Sequence, residues 1–529
     1  MIPFRTSLTK SLGAFLLGLA VASIGLGANP PAALPAVPAT VDSITATEMR
    51  GHLEFLSSSE LGGRYTLSPN FPIVARYLAS ELEVYGFRGA EPHGGFLQKF
   101  EVVSTKIDGP RTSLHLNVDG KEEAAQYGLD FFGSPQSASG EAHGELVFVG
   151  GGISAPRQKR DDYAGKNVKG KIVVAVAGLT GGVDFSKLSN SEDGLGAAEA
   201  HGAAGMLIIP PQRFLNLMRD RSVLERFPGR ETVQLAKDAD AKLPALTLGP
   251  RLAEKVLAGF GLKPSDAFQG HGAAQRCVKC SAELSVALQQ TRATTQNVVG
   301  ILDGTDPKLR DEYVTFSAHY DHLKTGPHGE IYHGADDDGS GTSAVLAIAK
   351  AMSLNRPKRS VLIIFHAGEE LGLLGSEYNA DYAPVVPLDK MIVDLNIDMI
   401  GRSKAPGDHD PADEHLTGPN AVYVVGSNRI SKELDKISAE TNEQFQKMNL
   451  DYYYNDPSNP ERIYYRSDHW NYAKHGIPII FYFTGTHVDY HRPTDTIDKI
   501  NFNKMTEITR LIFETGWRIA NLDHRLTRN

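Results

Sequence analysis

Four short stretches hold the residues whose types and spacing could do chemistry. The first carries S-A-H-Y-D-H-L at 317–323 and G-A-D-D-D-G-S-G at 334–341; the others are H-A-G-E-E-L-G at 366–372, N-I-D-M-I-G at 396–401 and D-Y-H-R-P-T-D-T at 489–496. His319 and Asp321 stand two apart in what reads as extended chain, so they point the same way. A histidine that binds metal through one nitrogen usually donates its other N–H to a carboxylate, which gives Asp321 the part of that partner. Three consecutive aspartates, 336–338, repel one another unless a cation or hydrogen bonds neutralise them. The adjacent glutamates Glu369 and Glu370 make sense if one binds metal and the other accepts a proton from a metal-activated water. Asp398 and His491 complete the set. Singly, each has a bland reading: a satisfied loop histidine, an acidic surface turn. Together they are a hard-ligand site, and oxygen and imidazole donors without thiolate fit zinc or another divalent ion such as cobalt or manganese.

These stretches need strands to hold them, and apolar runs precede them. Y-V-T-F-S-A (313–318), S-V-L-I-I-F (360–365), M-I-V-D-L-N-I (391–397), A-V-Y-V-V-G (421–426) and I-P-I-I-F-Y-F (477–483) alternate with helical segments, the last near 502–521. Strands apolar on both faces and alternating with helices predict an α/β fold with a mixed, mostly parallel central sheet covered by helices on both sides. Ligand sites in such sheets lie beyond the carboxyl ends of the strands, where the polar stretches fall. Toward the N-terminus two helices are expected. One opens near Thr47 with Met49, Leu53 and Leu56 on one face; the other starts at Pro72 and stops at Gly86. The turn E-L-G-G-R (60–64) between them has no assigned role. From 138 to 262 the texture changes to a second, smaller α/β module, with strands at 145–153, 170–177 and 243–248 and a small-residue helix leading into M-L-I-I (206–209).

The segment from about 294 to 500 resembles the M28 peptidases, the co-catalytic zinc aminopeptidase family. The module resembles the protease-associated domain, on D-D-Y-A-G-K-N-V-K-G-K-I-V-V (161–174) and H-G-A-A-G-M-L-I-I (201–209). The resemblance implies two Zn2+ ions, with His319 and Asp398 on one, Glu370 and His491 on the other, Asp337 bridging both, and Glu369 as general base. It also implies a non-proline cis peptide between Asp337 and Asp338, and places Tyr464, Tyr465 and Asp468 near the site. A water shared by two divalent ions becomes acidic. Glu369 would take its proton as it attacks the scissile carbonyl and pass it to the leaving amine. Tyr464, Tyr465 or Tyr490 would assist the oxyanion. His322, His328, His333 and His366 read as supporting or surface histidines. For the module the resemblance implies a lid or substrate-access role, and a spacer remains the alternative.

Peptides are the expected partners and aminopeptidase action the leading activity. The alternatives are a carboxypeptidase or dipeptidase of the same fold, a glutaminyl cyclase, or a non-catalytic binding protein. The net charge of −9 is spread along 529 residues without a basic stripe, which speaks against nucleic acid. No obligate protein partner is evident. Arg5 and Lys10 precede an uncharged apolar run of about sixteen residues, Leu12 to Gly27, short for a membrane span and suited to a signal peptide. The expected division is therefore signal peptide 1–28, Pro/Ala-rich linker 29–43, first part of the peptidase domain 44–137, module 138–262 and catalytic domain 263–525, in a periplasmic or extracellular protein. The cysteines, Cys277 and Cys280, read as a local disulfide in that setting.

Overall fold

The computed structural model describes residues 33–529 apart from 91–93, 135, 180, 184–187, 190, 221–230, 240–242, 271–273 and 275. The expected signal peptide lies outside the described residues. Among these, no helix is long and apolar enough to cross a membrane.

The main sheet is built from β1 (Leu97–Ile107), β2 (Thr232–Leu235), β3 (Leu288–Leu302), β4 (Tyr313–His319), β5 (Ser360–His366), β6 (Met391–Ile397), β7 (Ala421–Val425), β8 (Asn449–Asp451) and β9 (Ile479–Phe483). Their order is β2-β1-β3-β5-β4-β6-β9-β7-β8, with the short strand Arg88–Gly89 also on β3. The central strands β5, β4, β6 and β9 run parallel, and β3 and β7 pair antiparallel on either side of them. Side chains alternate across a strand. In β5, Val361, Ile363 and Phe365 therefore enter one core, while Leu362 and Ile364 enter the core on the opposite face. Each face needs its own cover, which is why these runs are apolar throughout.

One face is covered by the helices α1 (Ala46–Leu56), α2 (Phe71–Val84), α3 (Gly341–Leu354) and α4 (Phe502–Asn521), joined by Leu434 and Ile437 of the helix Lys432–Gln444. Met49, Leu53 and Leu56 of α1 are buried, and Thr45 caps it, its Oγ1 accepting from the Glu48 N–H at 3.3 Å. In α2, Val74, Leu78 and Leu82 are buried while Tyr77 and Tyr85 are only partly so. The opposite face is closed by the short helix His469–Ala473 and a cluster of aromatic side chains.

Residues 33–43, expected within a linker, lie against the main domain instead. Leu34, Val37 and Val41 pack on its core, and the Trp517 indole N–H donates to the Ala36 carbonyl at 2.9 Å. The apolar residues among the prolines and alanines explain the difference.

The second sheet has the order Lys121–Ala124, Ser113–Val118, Ser281–Val286, Gly140–Phe148, Ile172–Val176, Gly205–Ile209, Ala245–Leu248, Phe131–Gly133. It is wider than the expected 138–262. Ser281–Val286 pairs with Ser113–Val118 on one side and Gly140–Phe148 on the other, so flanking segments complete the ladder. Within the expected module, β2 departs: it leaves this sheet and pairs antiparallel with β1 of the main sheet. Cys277 and Cys280 form a disulfide at the margin of the module's core.

Candidate metal centre

The carboxyl ends of β4, β5, β6 and β9 deliver the candidate residues to one place. His319 is the last residue of β4 and is buried; Glu369 and Glu370 follow β5, Asp398 follows β6, and His491 lies in the loop after β9. His319 Nε2 stands 3.2 Å from Asp337 Oδ1 and 3.6 Å from Asp398 Oδ1. On the other side, His491 Nε2 is 3.1 Å from Asp337 Oδ2 and 3.0 Å from Glu370 Oε2. Asp337 thus offers one oxygen to each histidine. Glu369 reaches the His319 side, Oε2 to Nε2 at 3.9 Å.

Asp336 and Asp338 flank Asp337, and each commits one oxygen to hydrogen bonds that shape the surrounding loops, while Asp338 also stands with His319 and Asp398 in one group of potential donors. Asp338 Oδ1 accepts from the N–H groups of Gly341 and Met399, at 2.9 and 3.1 Å. Asp336 Oδ1 accepts from Ser340 Oγ and the Gly401 N–H. The N–H groups of Asp336 and Asp337 both donate to Asp495 Oδ2. The peptide between Asp337 and Asp338 is cis.

The site is dense in charge for a place so poorly hydrated. Burial pushes the Glu369 carboxyl well above its usual range, opposed by His319 and helped by the charges of Glu370, Asp398 and Asp468. Burial opposes a charged His491, but Asp337 and Glu370 outweigh it and raise the ring to about 10. Five carboxylates and imidazoles brought together in a largely buried place point to a cation. His319 Nε2 and Asp337 Oδ2 are buried and have no hydrogen-bond partner, and both are aimed into the cluster. Donors of this type fit zinc, with His319 and Asp398 gathered at one end of Asp337 and Glu370 and His491 at the other.

Several supporting residues differ from the sequence reading or add to it. Asp321 faces the His319 ring with both its backbone oxygen and its carboxylate. The ring Nδ1 contacts the Asp321 backbone oxygen at 3.2 Å, with Oδ1 at 3.7 Å. Asp321 Oδ1 also accepts from the Glu369 N–H at 3.2 Å and Oδ2 from Thr66 Oγ1 at 2.7 Å, so this one residue links His319, Glu369 and Thr66.

Tyr464 and Tyr465 do not line the small cavity at the centre. They belong to a short 3-10 turn, Ile463–Tyr465, and pack with Trp470, with Arg429 over the Tyr464 ring and Arg462 over Tyr465. Residues three apart share a face in a 3-10 turn. Ile463 and Arg466 accordingly face the site and line a cavity of about 40 Å3 with Glu369, Asp398, Phe481 and Tyr490. Tyr490 stacks on the His491 ring, centroids 3.9 Å apart, and burial plus the carboxylates of Asp337, Glu370 and Glu369 drive its phenol pKa strongly upward. It stays a proton donor. Asp468 is fully buried opposite His366, Oδ2 to Nδ1 at 3.4 Å, and does not line this cavity.

Three further residues support the centre, and of these only His322 was read from the sequence, as a supporting or surface histidine. His322 donates from Nδ1 to Glu370 Oε1 at 2.7 Å, orienting that carboxylate. Thr66 holds Asp321. Arg64, from the glycine-rich turn, is 1% exposed and makes five hydrogen bonds, all to carbonyl oxygens: Tyr320, Leu56, His333, Gly334 and Asp337. Gly63 allows this approach. At φ 92° it sits so close to the carbonyls of Leu323 and Tyr332 that a Cβ would collide with both. The one sequence signal was a charged residue within G-G-R between two apolar helices.

Residues 297–516 match the family described as Peptidase family M28. Over 207 residues the chain is 31% identical to a protein named probable leucine aminopeptidase 2 from Aspergillus oryzae, covering 39% of this chain and 36% of that one. Over 114 residues it is 38% identical to aminopeptidase YwaD of Bacillus subtilis, covering 21% and 23%. These matches span less than half of either relative's length. Among solved structures, an aminopeptidase from Aneurinibacillus sp. strain AM-1 superposes with a TM-score of 0.55 at 20% identity, covering 93% of this chain and 97% of that one. That likeness is one of fold.

Proposed function

Because residues 297–516 belong to peptidase family M28, we propose that the chain is an exported di-zinc metallopeptidase that removes N-terminal residues from peptides. The observation that carries this reading is Asp337, with one oxygen toward His319 and the other toward His491, between two sets of donors. The second sheet is read as the inserted protease-associated module. Export rests on the charged and apolar N-terminal run.

Bound at Asp337, the two ions would supply a Lewis acid for the scissile carbonyl and acidify the attacking water. The residues supply the rest. Glu369, its pKa raised by burial and neighbouring carboxylates, accepts a proton from water and returns it to the leaving amine nitrogen. Asp321 fixes the Glu369 backbone through its N–H, and His322 fixes Glu370. Tyr490 keeps its proton and donates it as a hydrogen bond to the tetrahedral oxyanion. Carboxylates around the small cavity suit a substrate's free amine, and Met399, Ile463, Phe481 and Phe483 suit an apolar first side chain.

A second reading, carboxypeptidase or dipeptidase action, is favoured by Arg466 on the same cavity, a cation that could pair with a terminal carboxylate. Turnover of aminoacyl reporters, N-blocked peptides and C-terminal reporters, with and without chelator, separates the two. Chelator-sensitive release from free amines is expected. Cleavage of N-blocked peptides with none at free amines would sink the aminopeptidase reading.

A further inference from the structure

A second and much larger cavity, about 460 Å3, opens on the other side of the centre. Its wall on the catalytic side is Glu370 and Leu371; Tyr127, Phe132, Phe214 and Met218 come from the segment that forms the second sheet and its helices. We propose that this cavity binds an apolar side chain on the leaving-group side of the scissile bond, so that the second sheet's module selects peptides by the residue after the one released. The inference rests on the peptidase reading above.

Placement is the first argument. The small cavity contains Glu369 and Asp398 of the His319 end of Asp337, together with Asp337 itself and Tyr490, whereas the large one contains neither Glu369 nor Asp398 and is lined instead by Glu370 of the His491 end. A peptide whose scissile carbonyl sits at Asp337 therefore has one cavity on each side. The small one suits a terminal residue, where the chain stops. The large one has room for a side chain and its adjoining backbone.

Chemistry is the second. Among the described residues, the charged groups lining this cavity are Glu370 and Glu231, and Glu231 is engaged by Ser104 Oγ and by Lys324 Nζ at 3.1 Å. The other described lining residues are aromatic, aliphatic or glycine, with Thr232 and Thr247 as neutral polar groups. Such a wall recognises an uncharged side chain by burial.

Attachment is the third. A module that only lay nearby would make an indefinite wall. Here β2 carries Thr232 and Val233 of the cavity into the main sheet, pairing with Ser104 and Thr105 of β1, and the Lys324 contact ties Glu231 to the loop after His322. The cavity's two halves are parts of one hydrogen-bonded frame.

The test is a dipeptide series with one first residue and Gly, Ala, Leu or Phe second, turned over by the zinc-loaded full chain. Specificity for Leu and Phe over Gly in kcat/KM should be at least about tenfold, the range that one to a few buried methylenes give. Thr247→Trp, which fills the cavity from the module side, should reduce that ratio below about threefold, and Phe214→Ala should lower it as well. A flat series in the parent protein, or an unchanged ratio in both variants, overturns the inference and leaves the peptidase reading standing. Failure to cleave any free-amine dipeptide overturns the peptidase reading beneath it.

Discussion

Replacing Arg64 with methionine should both destabilise the main domain and loosen the metal centre. The side chain is 1% exposed and its five donors go to five backbone carbonyls, at distances from 2.6 to 3.3 Å. Three of those carbonyls, Tyr320, Gly334 and Asp337, belong to the segments that carry the centre. Methionine fills much of the volume and supplies no donor, so each carbonyl loses a charge-assisted partner. An unpaired buried acceptor costs about 1–3 kcal/mol, and such costs are not additive because neighbours relax together. Releasing the guanidinium from a buried site regains part of the loss, since burial disfavours its charge, although Asp337, Asp338, Asp321 and Asp495 favour it. The net expectation is about 3–5 kcal/mol. Trp470 and Trp517, the chain's two tryptophans, both lie in the catalytic part, so guanidinium unfolding followed by fluorescence reports on the right core. Zinc affinity, measured by chelator competition in the folded variant, should fall about 10–100-fold, as for other residues that orient ligands. Arg64→Lys should rescue little, because three donors on a flexible stem cannot reproduce a planar fork. A loss under about 1 kcal/mol with zinc affinity within about twofold of the parent would refute the reasoning.

Glu369→Gln should lower kcat by about 10²–10⁴ while zinc content, measured on the same preparation, is retained. Tyr490→Phe should lower kcat by about 10²-fold with a smaller change in KM, visible in steady-state kinetics on an aminoacyl reporter. Glu514 tests the electrostatics away from the site. Burial lifts its carboxyl from 4.5 to about 7 against the pull of Gln446 and Arg518, so its stabilising, protonated form is lost progressively as pH rises between those values. Glu514→Gln, which does not titrate, should therefore gain about 1–3 kcal/mol relative to the parent between pH 5 and pH 8, read from denaturation midpoints at both.

His319, Glu369, Glu370 and Asp398 stood out because each ends or closely follows an apolar strand run, where a histidine or carboxylate has no packing reason to be; Asp337 and His491 stand away from the strands and were read from the motifs around them. The helices α1, α2 and α4 were legible for the complementary reason: their apolar stripes repeat at helical spacing, and a capping threonine, a proline and a glycine mark their limits. What escaped was set by contacts between distant segments. Arg64 meets carbonyls more than 250 positions away, as with Tyr320 and Gly334. Asp321 was read as the partner of His319 alone, because its further bonds, to the Glu369 N–H and to Thr66, come from segments far off in the chain. Tyr464 and Tyr465 were chosen for their chemistry, and a 3-10 turn presents Ile463 and Arg466 instead. The extent of the second sheet was hidden because its first and last strands lie on either side of the recognisable module and become partners only through Gly140–Phe148 and each other.

The course of β2 has a mechanical consequence. β1 and β3 pair over their full length, from Leu97 with Val298 to Ile107 with Leu288, and the Asp108 N–H donates to Ala287 just beyond. A pair of strands joining two bodies is a ribbon, and a ribbon yields most easily in torsion. With β1 and β3 alone the second sheet could swing like a door over the catalytic face. β2 adds a third rail beside β1, off the axis of that twist, so any swing would first unzip its ladder. For a protein engineer this makes the module a poor cassette: excising it at Asp108 and Ala287 would leave β1 with an uncovered edge where Thr232–Leu235 had been, and a grafted replacement would need its own third rail.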